Sequence, residues 1–103
     1  MRPLAFTCAV DRVRDALAAA IDRAGGRIVA MERDHVHAEF TSRMFGFVDD
    51  VEFVIDSDRS RIDFRSASRV GHWDLGANRR RMRKLVQLVG QAEKIEEVRE
   101  QGR

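Results

Sequence analysis

Three adjoining segments decide the fold: residues 46–56 (GFVDDVEFVID), 57–60 (SDRS) and 61–70 (RIDFRSASRV). In the first and third segments, apolar side chains recur at every second position, which is the period of a strand with one buried face. The polar segment between them has the composition of a hairpin loop. The pattern therefore predicts an antiparallel hairpin in which Phe53 faces Phe64.

A similar hairpin precedes this one in the chain. Residues 27–32 and 35–42 alternate in the same way on either side of Arg33-Asp34, a plausible two-residue connection. Strand alternation then assigns the side chains of all four strands to two faces of one sheet. The face predicted to point into the core carries Val29, Met31, Val36, Ala38, Phe40, Phe47, Val51, Phe53, Ile55, Ile62 and Phe64.

A short strand and a helix are predicted before the hairpins. Leu4, Phe6 and Cys8 alternate with polar or small residues, which indicates the strand. Apolar residues at helical spacing follow, with Asp11 as the capping residue of the helix. Gly25-Gly26 ends this helix, because glycine adopts the left-handed conformation without steric cost.

A second helix is predicted after the hairpins. Asp74 is the candidate N-cap before Gly76, and the helix runs to about residue 100. Its charged last turns project beyond the sheet. Side chains recurring every three or four residues form its inward stripe: Asn78, Met82, Leu85, Val89, Ala92 and Ile95.

These elements predict an α+β fold in the order β-α-β-β-β-β-α. A four- to five-stranded antiparallel sheet carries two amphipathic helices packed on one face. The 103 residues form a single domain, 1–103, in which 76–103 is the C-terminal helix with its projecting end.

Composition and charge restrict the class of protein. No apolar run reaches the roughly 18 to 20 residues that span a bilayer, and the first residues show no apolar leader, so we expect a cytoplasmic protein. Cys8 is the one cysteine, which excludes an internal disulfide and suits a packing residue. The net charge is +2, but residues 76–90 alone carry five basic and no acidic side chains.

Polar side chains interrupt the predicted core face at one end of the sheet. Ser42, Asp49, Ser66 and Ser68 share the strand parity of the buried aromatic residues, so they are predicted to point toward the helices. In the register of the second hairpin, Asp49 faces Ser68. A carboxylate and several hydroxyl groups are therefore predicted to meet at the sheet end opposite the hairpin loop.

The second helix offers partners for this polar group. Asn78 lies on its inward stripe and Arg81 lies on its flank. A buried carboxylate needs a cation or backbone donors, and Arg81 or Arg79 is the predicted partner of Asp49. Two interpretations remain open, a clamp that locks the helix to the sheet and a small binding cleft. The predicted ligand- or partner-binding residues are Asp49, Ser66, Ser68, Arg69, Asn78, Arg79 and Arg81.

Four blocks of residues 35–83 together resemble a known family. They read HAEF, SRMFGFVDDVEF, RSASRVG and DLGANRRR. This pattern is similar to the domain of unknown function 1499 family, a bacterial and plastid group for which no activity can be named. The resemblance implies that these residues belong to the family's motif: His37, Glu39, Asp49, Asp50, Arg65, Ser66, Ser68, Arg69, Asp74, Asn78 and Arg79.

The opposite face of the sheet is predicted to carry mostly charged side chains, among them Glu52 opposite Arg65. It is either a solvated surface or a surface for self-association into a homo-oligomer. Its members are Ile28, Ala30, His37, Glu39, Val48, Asp50, Glu52, Val54, Asp63, Arg65, Ala67 and Arg69.

The leading functional hypothesis is a small non-enzymatic domain that binds a protein partner or an anionic small ligand, with no catalytic residue, metal site or cofactor. One alternative is a hydrolase acting on an anionic substrate through Asp49, His37 or Ser68. A second alternative, less favoured, is electrostatic nucleic-acid binding by the basic run 79–84. Zinc or iron binding by His35, His37 and Glu39 has still less support.

Overall fold

The computed structural model describes residues 4–41, 46–68, 75–92 and 94–97, with backbone alone at 67, 68, 75–79 and 97. Within these ranges, six strands and two helices follow one another. They are β1 (Leu4–Phe6), α1 (Val10–Arg23), β2 (Arg27–Met31), β3 (His35–Thr41), β4 (Val48–Asp56), β5 (Arg61–Ser68), α2 (Leu75–Gly90) and β6 (Ile95–Glu97).

The six strands form one antiparallel sheet in the order β2-β3-β4-β5-β1-β6. The buried side chains of both helices join those of the sheet in one hydrophobic core, to which Leu17, Leu85 and Phe53 contribute fully buried side chains. The predicted α+β class with an antiparallel sheet is confirmed. The sheet has one strand more than the four or five predicted.

The β4–β5 hairpin has the predicted register. Phe53 lies opposite Phe64, with 6.2 Å between the ring centroids, and Asp49 lies opposite Ser68. At the closed end, Oδ1 of Asp56 accepts hydrogen bonds from the backbone N–H groups of residues 58 and 59. This local bonding fixes the polar loop, so alternation outside the loop assigns each side chain to its face.

The β2–β3 hairpin departs from strict alternation. The pairing shifts between Ile28, which lies opposite Ala38, and Ala30, which lies opposite His37. Such a bulge adds one residue to β2. The residues before the bulge therefore point to the opposite face of the sheet from the one that strict alternation predicts. The prediction that Val29 points into the core is therefore wrong, since Val29 is exposed and Ile28 packs on the core. Met31 is also exposed.

Helix α1 ends as predicted and begins differently. Ala9 occupies the N-cap without a side-chain hydrogen bond, so the prediction that Asp11 caps the helix is wrong. Asp11 lies in the first turn, where its negative charge favours the helix dipole. At the other end, the N–H of Gly26 donates to the carbonyl of Ile21 and Gly25 has φ +87°, the geometry of a Schellman C-cap.

Helix α2 is shorter than predicted. It ends at Gly90, and the predicted helical extension to about residue 100 is wrong because residues 95–97 form a strand. The predicted projecting end lies outside the described residues. The chain turns back through Lys94, which has φ +70°, and pairs as β6 with β1. Ile95 therefore enters the core as a residue of the sheet, and not as a residue of the helix. Within the described residues, neither helix is long and apolar enough to cross a bilayer.

Candidate functional site

Asp49 and Arg81 form an ion pair between the sheet and α2. Asp49 has the core-facing parity of β4 and is 8% exposed, which makes it the buried charged residue of the described core. One of its carboxylate oxygens accepts a hydrogen bond from Nη1 of Arg81. The cation offsets the cost of removing the carboxylate from water, and the pair joins the first half of α2 to the start of β4.

Phe40 completes the surroundings of this pair. It lies opposite Asp49 on β3, and the guanidinium carbon of Arg81 is 5.1 Å from the centre of its ring. This distance suits a cation–π contact. Elsewhere on the same ring, a Cβ atom at Gly26 would lie 2.5 Å from Cζ of Phe40, so this position has no room for a side chain. The ring therefore packs against the bare backbone of Gly26 while it also contacts the guanidinium group of Arg81.

The other residues of the predicted site are described to different extents. Ser66 is half-buried opposite Val51, on the core side of β5. Ser68 pairs with Asp49 through the strand register, and Asn78 and Arg79 lie in the first turns of α2, but the side chains of these three are outside the described residues. Ser42, Arg69 and Asp74 also lie outside. Of the predicted contacts, the structure brings together Asp49 and Arg81.

The first half of α2 presents a basic surface to solvent. Arg80, Arg83 and Lys84 are exposed, and α2 has no acidic residue in its first turn. Their spacing places them on the side of the helix opposite Met82, Leu85, Val86 and Val89, which are buried. No ion pair to any of the three is found within the part of the chain that the structure describes. We call Arg80, Arg83 and Lys84 the basic face of α2.

The outer face of the sheet carries hydrogen bonds and ion pairs between neighbouring strands. Nε2 of His37 lies 2.9 Å from Oδ1 of Asp50, and Nε2 of His35 lies 3.2 Å from Oε1 of Glu52. Arg65 donates to the other carboxylate oxygen of Glu52, across the predicted cross-strand pair. At the margin of the sheet, Arg27 and Glu39 form a further pair with 2.6 Å between nitrogen and oxygen.

The hydrogen bond from Arg65 holds the pKa of Glu52 below its usual range. A second hydrogen bond, to His35, acts in the same direction. Both interactions favour the ionised carboxylate because they involve a donor aimed at it. The outer face therefore keeps this negative charge into acidic solution.

Residues that the hydrolase hypothesis names as alternatives lie on different faces of the sheet. His37 lies on the outer face, whereas Asp49 lies on the core face, so these two cannot serve one hydrolytic centre. The nitrogen and oxygen atoms of His35, His37 and Glu39 are directed to three different partners. Among the described residues, no group of three such ligands is arranged around a common metal position.

A shallow cleft lies away from the predicted site, between the end of β1 and the start of α1. Its volume is about 350 Å³, and Thr7, Cys8, Arg12 and Lys94 are among its lining residues. Cys8 is half-buried and packs against the core. The prediction of a packing role for Cys8 agrees with this placement.

Sequence reasoning missed the contribution of Phe40 to the Arg81 contact. The strand register could have indicated it, because Phe40 points to the same face of the sheet as Asp49 and lies opposite it on the neighbouring strand. It also missed the pairing of His37 with Asp50, which is diagonal and not directly across the ladder. Diagonal partners depend on side-chain reach and strand twist, which alternation alone does not supply.

Comparison with known proteins gives one result. The family described as "Protein of unknown function (DUF1499)" matches residues 1–89. The match extends beyond the 35–83 range of the resemblance and covers every strand and helix except the end of α2 and β6. Neither the curated proteins nor the solved structures contain a significant match.

Proposed function

The chain belongs to the DUF1499 family of proteins of unknown function, and we propose that it is a small non-enzymatic binding domain. Its site lies where the end of the sheet meets the first half of α2. The site recognises oxyanions, either the carboxylates of a protein partner or the charged group of a small anionic ligand. Asp49, Ser66, Ser68, Asn78 and Arg79 shape it, with Arg69 and Arg81 adding positive charge.

One observation carries this proposal: three cations on one exposed helix face have no described ion-pair partner. Cations in such a position attract anions over the range of the Debye length, about 10 Å at moderate salt. The Asp49–Arg81 pair fixes the orientation of this surface because it connects α2 to the sheet beside it. In this arrangement Arg81 acts mainly as a clamp. The basic face continues the site from the sheet end onto the exposed side of α2, where it adds contacts to the anion.

Binding of a defined probe tests the proposal. We expect a hexaglutamate peptide, followed by calorimetric titration at low salt, to bind the wild-type chain. The double variant R83E/K84E should weaken that binding by about tenfold or more, since two favourable charge contacts become unfavourable. Inorganic phosphate in a parallel titration distinguishes a small-anion site from a peptide surface.

The matched control is R12E/R23E, which changes the net charge equally on the exposed side of α1. It should bind the peptide nearly as the wild type does. Equal weakening by both variants would show a nonspecific charge effect and contradict a site on α2. Absence of binding by both probes to the wild type would contradict the proposal itself. A duplex DNA probe that binds with a steep salt dependence, while the peptide does not, would favour the nucleic-acid alternative.

The proposal also includes association of this chain with itself through the outer sheet face, and a bacterial, cytoplasmic setting. Exposed Val54 on that face, amid ionic side chains, supports a contact surface. Fractionation of the source cells, followed by detection of the chain, checks the setting. Recovery with the membrane fraction would contradict the cytoplasmic part.

A further inference from the structure

The outer face of the sheet and the basic face of α2 carry opposite net charges. Strand register assigns nine charged side chains of the described residues to the outer face, with both histidines counted as neutral. Six are acidic and three are basic, which gives −3; they are Glu39, Asp50, Glu52, Asp56, Asp63, Glu96, Arg27, Arg61 and Arg65. The basic face of α2 carries +3.

These two surfaces lie on opposite sides of the molecule. The buried side of α2 packs on the core face of the sheet, so its basic face points away from the sheet. The charges of α1 do not cancel the positive charge of the basic face, because α1 has equal numbers of acidic and basic side chains. One copy of the chain therefore offers an acidic surface on one side and a basic surface on the other.

The charges restrict how two copies can meet. An isologous dimer through the outer faces would bring −3 against −3, and one through the basic faces would bring +3 against +3. Like charges brought together across an interface oppose association, whereas complementary surfaces favour it. A contact between the outer face of one copy and the basic face of another is the complementary arrangement.

We propose that the partner of the basic face of α2 is the outer sheet face of a second copy of this chain, in a head-to-tail contact. This inference rests on the proposed anion-binding role of α2, and it identifies the bound anion as the acidic outer face of a second copy. Asp63 and Glu96 are exposed on the outer face, and within the described residues neither forms an ion pair. Val54, directly opposite Asp63, is 47% exposed and supplies apolar contact area at the same place.

A contact of this kind does not close on itself. Each copy that binds through its α2 leaves its own outer face open, so a heterologous contact generates chains of copies unless a rotation closes a ring. The assembly should also respond to salt, because exposed charges separated by solvent are screened at high ionic strength. Both properties differ from those of a dimer held by one self-complementary face.

Sedimentation velocity at about 20 mM and about 300 mM salt tests the proposal. We expect the wild type to form species larger than a dimer at low salt, in amounts that rise with protein concentration, and to dissociate at high salt. Two variants, R83E/K84E and D63K/E96K, should each be monomeric. An equimolar mixture of the two should associate again, because the unchanged sheet face of R83E/K84E meets the unchanged basic face of D63K/E96K, and the two reversed faces are also opposite in charge. R83E/K84E should also shorten wild-type assemblies, since it accepts a neighbour on its sheet but offers none through α2.

Matched controls change the same charges elsewhere. R12E/R23E and D15K/D22K alter exposed side chains of α1 and should associate as the wild type does. Circular dichroism establishes that each variant is folded. A wild type that remains monomeric at low salt would overturn the inference, as would a dimer that survives in both variants or a variant mixture that stays monomeric. A monomeric wild type that still binds hexaglutamate would overturn this inference alone and leave the proposed anion site intact.

Discussion

Asp49 shows how one strand position couples the sheet to a helix. Its position in the strand directs its carboxylate to the core face, where the side chain is buried. The fold tolerates this burial because Arg81 reaches the carboxylate from α2. Arg81 in turn lies against the ring of Phe40. The three side chains belong to three elements, so a change at any one of them alters how α2 sits on the sheet.

We expect Asp49→Ala to lower the free energy of unfolding by roughly 2 to 3 kcal/mol, because Arg81 loses the carboxylate that it pairs with while staying largely buried. Denaturant unfolding followed by circular dichroism measures the change. The control Arg83→Ala removes an exposed cation and should cost less than about 0.5 kcal/mol. If Asp49→Ala left stability unchanged but abolished peptide binding, Asp49 would be a ligand contact and not a clamp.

Gly26 is a second position where one atom matters. A methyl group there would overlap the ring of Phe40, which is held between β3 and α2. We expect Gly26→Ala to destabilise the fold by about 1 to 3 kcal/mol, the usual cost of overpacking. Thermal unfolding measures it.

Gly90→Ala is the matched control for Gly26→Ala. Among the described residues, apart from the chain neighbours and the helix's own backbone, no atom lies within 4 Å of the Cβ position at Gly90. A larger loss of stability from Gly90→Ala than from Gly26→Ala would contradict the packing described for Phe40.

Glu52 links stability to pH. Its pKa is lowered in the folded state, first by the hydrogen bond from Arg65, so ionisation stabilises the fold at pH values above its unfolded pKa. That stabilisation is lost as the pH falls through the lower folded value. We therefore expect Glu52→Gln to be less stable than the wild type at neutral pH, with a difference that shrinks in acid. Urea unfolding at a series of pH values measures it.

The exposed loop residue Asp58 provides the control for the pH experiment. Asp58→Asn should change stability at neutral pH by less than about 0.5 kcal/mol. A constant difference between Glu52→Gln and the wild type across the acid range would contradict the described pairing of Glu52 with Arg65.

At the scale of elements, the return of the chain after α2 is the main departure from a simple helix–sheet pattern. Gly90 ends the helix, and β6 adds a strand beside β1. We expect Ile95→Ala to cost about 2 to 5 kcal/mol, since Ile95 is buried in the core. Glu96→Ala, on the opposite side of the same strand, should have little effect. Similar small effects of both changes would indicate that β6 does not pack on the sheet.

The hairpins were predictable because their information is local. The loop composition of 57–60 and the alternation around it specify both the register and the inward direction of Asp49. The end of α2 was harder, since Ile95 fits the helical stripe as well as the strand. Burial beside β1 decides between them, and that contact joins residues from opposite ends of the chain. Gly90 was the local signal for the helix end.

The bulge in β2 illustrates a different limit. One additional residue between Ile28 and Ala30 moves Val29 out of the core. Ile28 and Ala30 form one alternating set and Val29 and Met31 form the other, and both sets are apolar. The sequence pattern therefore does not show which set faces the core. For the candidate site, parity predicted the inward direction of Asp49, and its burial predicted an arginine partner, either Arg81 or Arg79. The role of the ring of Phe40 required three-dimensional distances.

At the scale of the whole molecule, the core is continuous between the sheet and both helices. We expect a single cooperative unfolding transition, with equal calorimetric and van't Hoff enthalpies. Leu17→Ala in α1 and Leu85→Ala in α2 should each lower the free energy of unfolding by about 2 to 5 kcal/mol and shift the entire transition. Two separate transitions in either variant would contradict the prediction that residues 1–103 form one domain.

The outermost strands have a consequence for behaviour in concentrated solution. A free strand normally offers a row of amide and carbonyl groups that can template the addition of foreign β-structure. Here the bulge of β2 distorts one such row, and β6 limits the other to three residues that include two glutamates. Growth of this sheet by stacking strand after strand into fibrils is thereby discouraged, even in a crowded preparation.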